Sequence, residues 1–359
     1  MSNFDDLKLS VEAISGGKNT VILDDAGMPS FMVMIPKLMC SALITGGSER
    51  PHPAFILGNT EYDKVYISKY INVVKNGRAY SLPMQDPAVG NGVGNAGGAK
   101  IDFDGAVSVC RAKGEGWGLT PFALYGAIAL WCRKNGTIPH GNNYYGKDID
   151  YPHETGVATF YDGDNIGRTA TGSGPVTWYH DHSPNGIADL NGNVNEWTAG
   201  LRVKNGVLQF VPNADCMQSD CDMGETSAFW KENGTFSGTD YGTSSIGADY
   251  VFNGIVYKTA ENITKESTAR ESLLKNVTSD LASAANTILK LYGLLPEDVS
   301  ESYGNDIITM NNGIAEGVAI KGGTYARGRA AGIFSTNLSY LRTSDYRAVG
   351  FRSAYYGDI

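Results

Sequence analysis

Long apolar runs are missing from this 359-residue chain: nothing in it approaches the length of a membrane span. The opening, MSNFDDLKLSVEAISGG, has no basic stretch followed by an apolar one, so no Sec-type export signal is expected. Positive charge is scarce, with 29 Lys and Arg against 38 Asp and Glu. The net charge of −9 argues against a nucleic-acid partner or an anionic membrane surface for the chain as a whole. Cysteine is sparse and odd in number: Cys40, Cys110, Cys132, Cys216 and Cys221 are expected to be reduced and buried. For Cys216 and Cys221, a small closed loop or a share in a metal site is the other reading. Charged residues make up only 19% of the chain while glycine reaches 45 residues, which suits a protein with much ordered loop.

What is present is concentrated at the end. From Ile320 to Tyr356 a framework of Gly322, Gly323, Gly332, Ile333, Phe334, Leu338, Val349, Gly350 and Phe351 interleaves with Tyr, Arg, Ser, Thr, Asn, Asp and Ala. The framework reads as buried scaffold. The remainder reads as one exposed face: Tyr325, Ala326, Arg327, Arg329, Ser335, Thr336, Asn337, Ser339, Tyr340, Arg342, Asp345, Tyr346 and Arg347. Rigid tyrosine rings with adaptable Ser, Thr and Asn donors form the composition of a paratope, and planar arginines add bidentate contacts. A plain loop and edge strand is the competing reading.

Along the chain, LKLSVEA and TVILD between Leu7 and Asp24 alternate around Gly16 and Gly17, the pattern of a hairpin or of a first strand of the main sheet. Strands are expected at Ser30 to Leu38, stopped by Pro36, and at Lys64 to Val73. PAVGNGVGNAGGAK, 87 to 100, lacks the Lys-Ser or Lys-Thr of a phosphate loop and reads as plain loop. Helices are expected at Asp102 to Lys113 and at GLTPFALYGAIALWCRKNG. The second has Thr120 as N-cap, Pro121 at the first helical position and Gly136 as the stop, and it is apolar all round and so buried. Residues 141–174 form a long ordered loop. Between Lys258 and Met310, Leu273, Leu274, Val277, Leu281, Ala284, Ile288 and Leu291 recur at helical spacing. This predicts an inserted helix or helical hairpin from Glu271 to Tyr292, its stripe used for packing or for a subunit interface. His180 and His182 form an HxH pair without a third ligand at recognisable spacing, so a structural role is expected.

GGTY at 322–325, Gly328, AGIF at 331–334, Leu338 and GFRSA at 350–354 resemble the variable region of proteins diversified by a diversity-generating retroelement. In that family adenine-directed mutagenesis varies the residues between the fixed ones. Randomised AAC or AAT codons cannot yield Lys, Glu, Gln, Met or Trp, and none of these occurs from Tyr325 to Arg347. DLNGNVNEWTAG is similar to the GNVWEW signature of the formylglycine-generating-enzyme type of C-type lectin fold, with Asn195 where the motif has Trp. FMVMIPK, YISKYINV and the 118–136 helix resemble earlier pieces of that fold in the same order.

The resemblance implies an α+β C-type lectin fold of the formylglycine-generating-enzyme type, with long ordered loops and an inserted helical segment. Residues 1–29 would be an attachment element of β structure and 30–356 the lectin-like domain, with an insertion at 258–312 and the variable region at 320–356. It implies a non-enzymatic binding protein at a bacteriophage tail tip, meeting a host-surface protein or glycan, with other tail proteins as neighbours and a homo-oligomer, a trimer first, as its state. A bacterial surface display protein is the alternative, and an oxidase of the same fold type another, disfavoured because no cysteine follows Cys221. No cofactor is required. The family's turn can hold Ca²⁺, which would fall here on Asp189, Gly192, Val194 and Glu196; capping and bracing of the turn is the other reading of those residues.

Overall fold

The computed structural model describes residues 3–236, 239–298 and 303–357. It is a mixed α and β structure, mostly sheet. The first element corrects the hairpin expected between Leu7 and Asp24: Asn3–Ser15 is an α-helix. Asp5 and Asp6 in its first turn suit the helix dipole, and Phe4, Leu7 and Val11, at helical spacing, are its half-buried apolar residues. Leu9, which the alternating pattern would have placed beside Leu7 and Val11, is 59% exposed. Period two and period 3.6 share two of three positions over so short a run. The chain leaves the helix through Gly16 and Gly17, both at positive φ, and Ser15 Oγ accepts from Asn19 N at 2.9 Å.

The strand Asn19–Leu23 then pairs antiparallel with Pro29–Pro36 and opens a five-stranded sheet. Lys64–Ser68, Ser353–Tyr355 and Trp117–Leu119 complete it in that order, so the last strand of the chain lies inside a sheet begun by the first. The helix Phe103–Arg111 is capped by Asp102, which accepts from Gly105 N at 2.9 Å. Phe122–Asn135 is the long helix, buried on nearly every side and closed by Gly136 at φ +67. Its start lies one residue later than expected. Pro121 is the N-cap, and the Thr120 hydroxyl instead donates to Arg352 O at 3.0 Å.

The second large sheet has eleven strands, and three two-stranded ribbons lie apart from both. Its order is Arg270–Leu273, Ile307–Met310, Gly332–Tyr340, Glu316–Gly322, Asn195–Lys204, Val207–Phe210, Thr239–Val251, Gly254–Thr259 and Thr278–Ser279, with Asn233–Phe236 and Val349–Phe351 attached at its side. The GNVNEW turn runs into Asn195–Lys204, which the short strand Val349–Phe351 joins in parallel.

The region expected to be helical from Glu271 to Tyr292 is corrected by this topology. Only Ser283–Leu291 is α-helix, with a single 3-10 turn at Leu274–Asn276; Arg270–Leu273 and Thr278–Ser279 are strands of the main sheet. Asn276 to Asp280 is rich in β-branched and turn-forming residues, and the Ser279 hydroxyl accepts from Leu281 N at 3.2 Å, which favours a turn before the helix begins. Ala285, Ile288, Leu289 and Leu291 are buried, so packing inside the chain uses the stripe. Of the expected insertion, residues 299–302 lie outside the described residues.

Candidate functional site

The C-terminal segment is held by its apolar residues and by glycines that admit close neighbours. Phe334, Leu338, Val349 and Phe351 are essentially inaccessible. Gly323, at φ +78, lies so near Ala331 that a Cβ there would sit 2.5 Å from the alanine methyl. At Gly332 a Cβ would overlap the Asp306 carboxylate. That carboxylate accepts from Phe334 N at 2.7 Å, and burial pushes it up to about 7. Lys321, also buried, donates to Phe334 O at 3.0 Å and Thr336 Oγ1 at 2.8 Å, and burial pushes it down to about 7.

The thirteen residues expected to share an exposed surface divide into three groups. Ala326, Arg327, Arg329, Tyr346 and Arg347 are exposed. Asn337, Ser339, Tyr340, Arg342 and Asp345 are half-buried. Tyr325, Ser335 and Thr336 are buried, which corrects the expectation for them. Ser335 and Thr336 lie in the middle of Gly332–Tyr340, a strand with neighbours on both sides, and Thr336 sits under the Lys321 ammonium. Tyr325 is turned into the 141–174 loop, where its carbonyl accepts from Tyr145 N at 2.7 Å and its hydroxyl donates to Asp162 Oδ2 at 3.2 Å.

Arg342 is committed to the scaffold as well. It grips Glu316 through Nε and Nη2, each at 3.0 Å, reaches Asp104 at 2.6 Å and lies over the Phe103 ring. Glu316 also takes Arg202 Nη1 at 2.6 Å. The Asp345 carboxylate accepts from Asn91 N at 2.5 Å.

The exposed arginines converge on carboxylates that the segment does not contain. Arg327 pairs with Glu271, Arg329 with Asp150 at 2.6 Å and Arg347 with Asp162 at 2.8 Å. Asp162 thus joins Tyr325 to Arg347, while Tyr340 and Tyr346 meet edge to face at 5.4 Å. The charge of these three arginines is therefore locally neutralised. Sequence reasoning missed Asp150, Asp162 and Glu271 because two belong to a loop of no clear period and one to a stretch read as helix. The loop is itself anchored: Arg168 grips Asp86 through two bonds, at 2.9 and 3.0 Å, and donates to Arg347 O at 2.9 Å.

The expected calcium quartet does not fit an ion as it stands. Both Glu196 oxygens are taken by the buried Arg352 guanidinium, at 2.7 Å from Nε and 3.0 Å from Nη2. Arg352 also donates to Ala188 O at 2.6 Å and Asp189 O at 3.3 Å, and the Asp189 carboxylate accepts from Gly172 N at 2.7 Å. Burial pushes Asp189 up to about 6. Gly192 N bonds Gly322 O at 2.9 Å, and Val194 is buried against Ile71 and Val89. A fixed cation already stands where a divalent ion would meet Glu196, so this arrangement braces the turn.

Solved structures are similar to this chain, three variants of one protein among them. The three are the Major Tropism Determinant U1, P3c and M1 variants, each 11% identical, with TM-scores of 0.33, 0.34 and 0.31; the match covers 94% of this chain and 71% of each of theirs. A likeness this shallow assigns neither fold nor function. No family model matches the chain, and no curated protein does.

The histidine pair is structural: His180 Nδ1 accepts from Ile187 N at 2.8 Å, burial lowers its pKa to about 4, and His182 bonds Ile138 O at 3.1 Å. All five cysteines are buried free thiols. Burial pushes Cys221 up to about 12, which keeps it a thiol at neutral pH. Among the described residues no cluster of three or more His, Cys, Asp or Glu suits a metal ion, and no helix is long and apolar enough to cross a membrane.

Proposed function

We propose that this chain is a non-enzymatic receptor-binding protein of the retroelement-diversified kind, built on a C-type lectin fold and working at a phage tail tip. Its ligand is a host-surface protein or glycan. The observation that carries the reading is the division of the C-terminal segment. Buried framework residues and glycines alternate with exposed Ala326, Arg327, Arg329, Tyr346 and Arg347, so side chains on the face can change while the backbone under them is held. Substitutions at exposed sites change stability by about 0.5 kcal/mol or less, which is what a surface built for variation needs. Tyrosine and arginine are the residues that dominate interface affinities.

The oxidase alternative would need a reachable thiolate pair near this face, and the cysteines here are buried and held as thiols. A bacterial surface display protein would use the same face and differs only in where the chain is carried. Several weak faces presented together gain from effective concentration, so a homo-oligomer, a trimer first, belongs to the reading.

The test is to replace Tyr346 and Arg347 with Ala, singly and together, and to measure melting and adsorption to host cells. Lost adsorption with unchanged melting supports the reading; full adsorption by every variant defeats it.

A further inference from the structure

We propose that the binding face extends beyond the C-terminal segment, across the sheet and onto the tip of the hairpin formed by Thr239–Val251 and Gly254–Thr259, where Phe252 is an anchor for a protein receptor. The inference rests on the receptor-binding reading and adds to it a second, non-segment contact and a class of partner.

The sheet supplies the continuity. Gly332–Tyr340, Ile307–Met310 and Arg270–Leu273 are successive neighbours, and their registers place Asn337 beside Thr309 and Thr309 beside Glu271. Adjacent strands lie about 4.8 Å apart, so the row from Asn337 to Glu271 spans about 10 Å. Thr309 is buried in the middle of this row, its hydroxyl donating to Glu271 Oε1 at 3.3 Å, and the exposed continuity is carried by Arg327 of the segment, which pairs with the same carboxylate. Glu271 and Arg270 then form one wall of a groove of about 500 Å³ whose other wall is the hairpin tip, with Tyr250, Val251 and Phe252.

Phe252 is 96% exposed and Val251 48%. Val251 pairs with Gly254, which leaves a two-residue turn of Phe252 and Asn253, with Asn253 at a positive φ of +61 in the second central position, where a type II turn has it. The tip is also tethered from below. The Tyr250 hydroxyl donates to Met310 O at 2.9 Å and accepts from Asn312 N at 2.7 Å, fixing the hairpin to the same strand that carries the row from the segment. A phenyl ring held fully in water at a braced turn is poised to enter an apolar pocket.

The chemistry selects a protein. Beside the aromatic tip, the charges of the groove are already matched within the chain, Arg270 with Glu266 at 2.7 Å and Glu271 with Arg327. The partner must therefore offer a desolvated pocket for a ring and neutral polar groups around it, the pattern of a protein interface. A standard interface of about 800 Å² on each side is about 30 Å across, about three times the row from Asn337 to Glu271.

The experiment compares the full chain with Phe252→Ser, Phe252→Lys and the Tyr346→Ala/Arg347→Ala double variant. Each is assayed for melting, light-scattering mass and adsorption to host cells that are untreated, protease-treated or periodate-treated. The expected result is unchanged melting and mass for both Phe252 variants, adsorption weakened about tenfold or more, and loss of wild-type adsorption on protease-treated but not periodate-treated cells. Full adsorption by the Phe252 variants with loss by the double variant would overturn the extension and leave the receptor-binding reading standing. Full adsorption by all variants would overturn both. Adsorption lost to periodate alone would overturn the protein partner, and a fall in mass on substituting Phe252 would make the tip a contact between copies and overturn the proposal.

Discussion

Replacing Arg352 with Met should be among the most damaging single changes in the chain. The guanidinium is fully buried and holds three parts of the structure together. It binds Glu196 of the GNVNEW turn through two bonds, Ala188 O and Asp189 O just before that turn, and Ser68 O and Lys69 O at the end of the strand Lys64–Ser68, at 3.3 and 3.1 Å. Methionine would fill much of the volume but leave Glu196, 2% exposed, as an unpaired buried charge, at a cost of about 3 to 5 kcal/mol. Each carbonyl left without a donor adds about 1 to 3 kcal/mol, so a loss of about 4 kcal/mol or more is expected against a typical total stability of about 5 to 15. Chemical denaturation with the slope held fixed reads the loss directly. Its pH dependence has a definite sign. An unpaired buried Glu196 has a raised pKa in the folded state, so the penalty is full above that pKa and shrinks as acid protonates the carboxyl. Glu196→Met in the same chain should restore much of the loss, giving a large coupling energy in the double-mutant cycle. A loss below about 1 kcal/mol for Arg352→Met, or strict additivity of the two changes, would refute the bracing role.

Three further outcomes follow from the same geometry. Excess chelator should leave the melting temperature unchanged, because Arg352 already occupies Glu196; a fall of several degrees would restore a metal to the turn. Lys321 has a folded pKa depressed to about 7, so between there and the unfolded value of about 10.4 the unfolded chain binds a proton the native one lacks. This group makes stability rise with pH across that window, and Lys321→Met should flatten the rise in thermal melts from pH 7 to 10. Light scattering at micromolar concentration should give the mass of an oligomer, a trimer first; a monomer would count against the multivalent display.

Local patterns were legible where one physical rule acted alone. The helix Phe122–Asn135 could be read from its apolar circumference and its Gly136 stop, and the burial of Phe334, Leu338, Val349 and Phe351 from their spacing among polar residues. Where two rules competed, the three-dimensional neighbours decided. The opening LKLSVEA fits a strand or a helix, and packing on Asn19–Leu23 selects the helix. The stripe from Leu273 to Leu291 is helical by period, yet its first part is taken into the sheet by Ile307–Met310 and Gly254–Thr259. Ser335 and Thr336 are polar and read as surface; a strand on each side and the Lys321 ammonium make them interior. The charge of the face shows the limit most directly. The sequence alone determined that Arg327, Arg329 and Arg347 fall close together in the segment, but their carboxylates come from Glu271, Asp150 and Asp162. A Coulomb partner is set by distance in space, and only the folded sheet and its anchored loop bring those groups within reach.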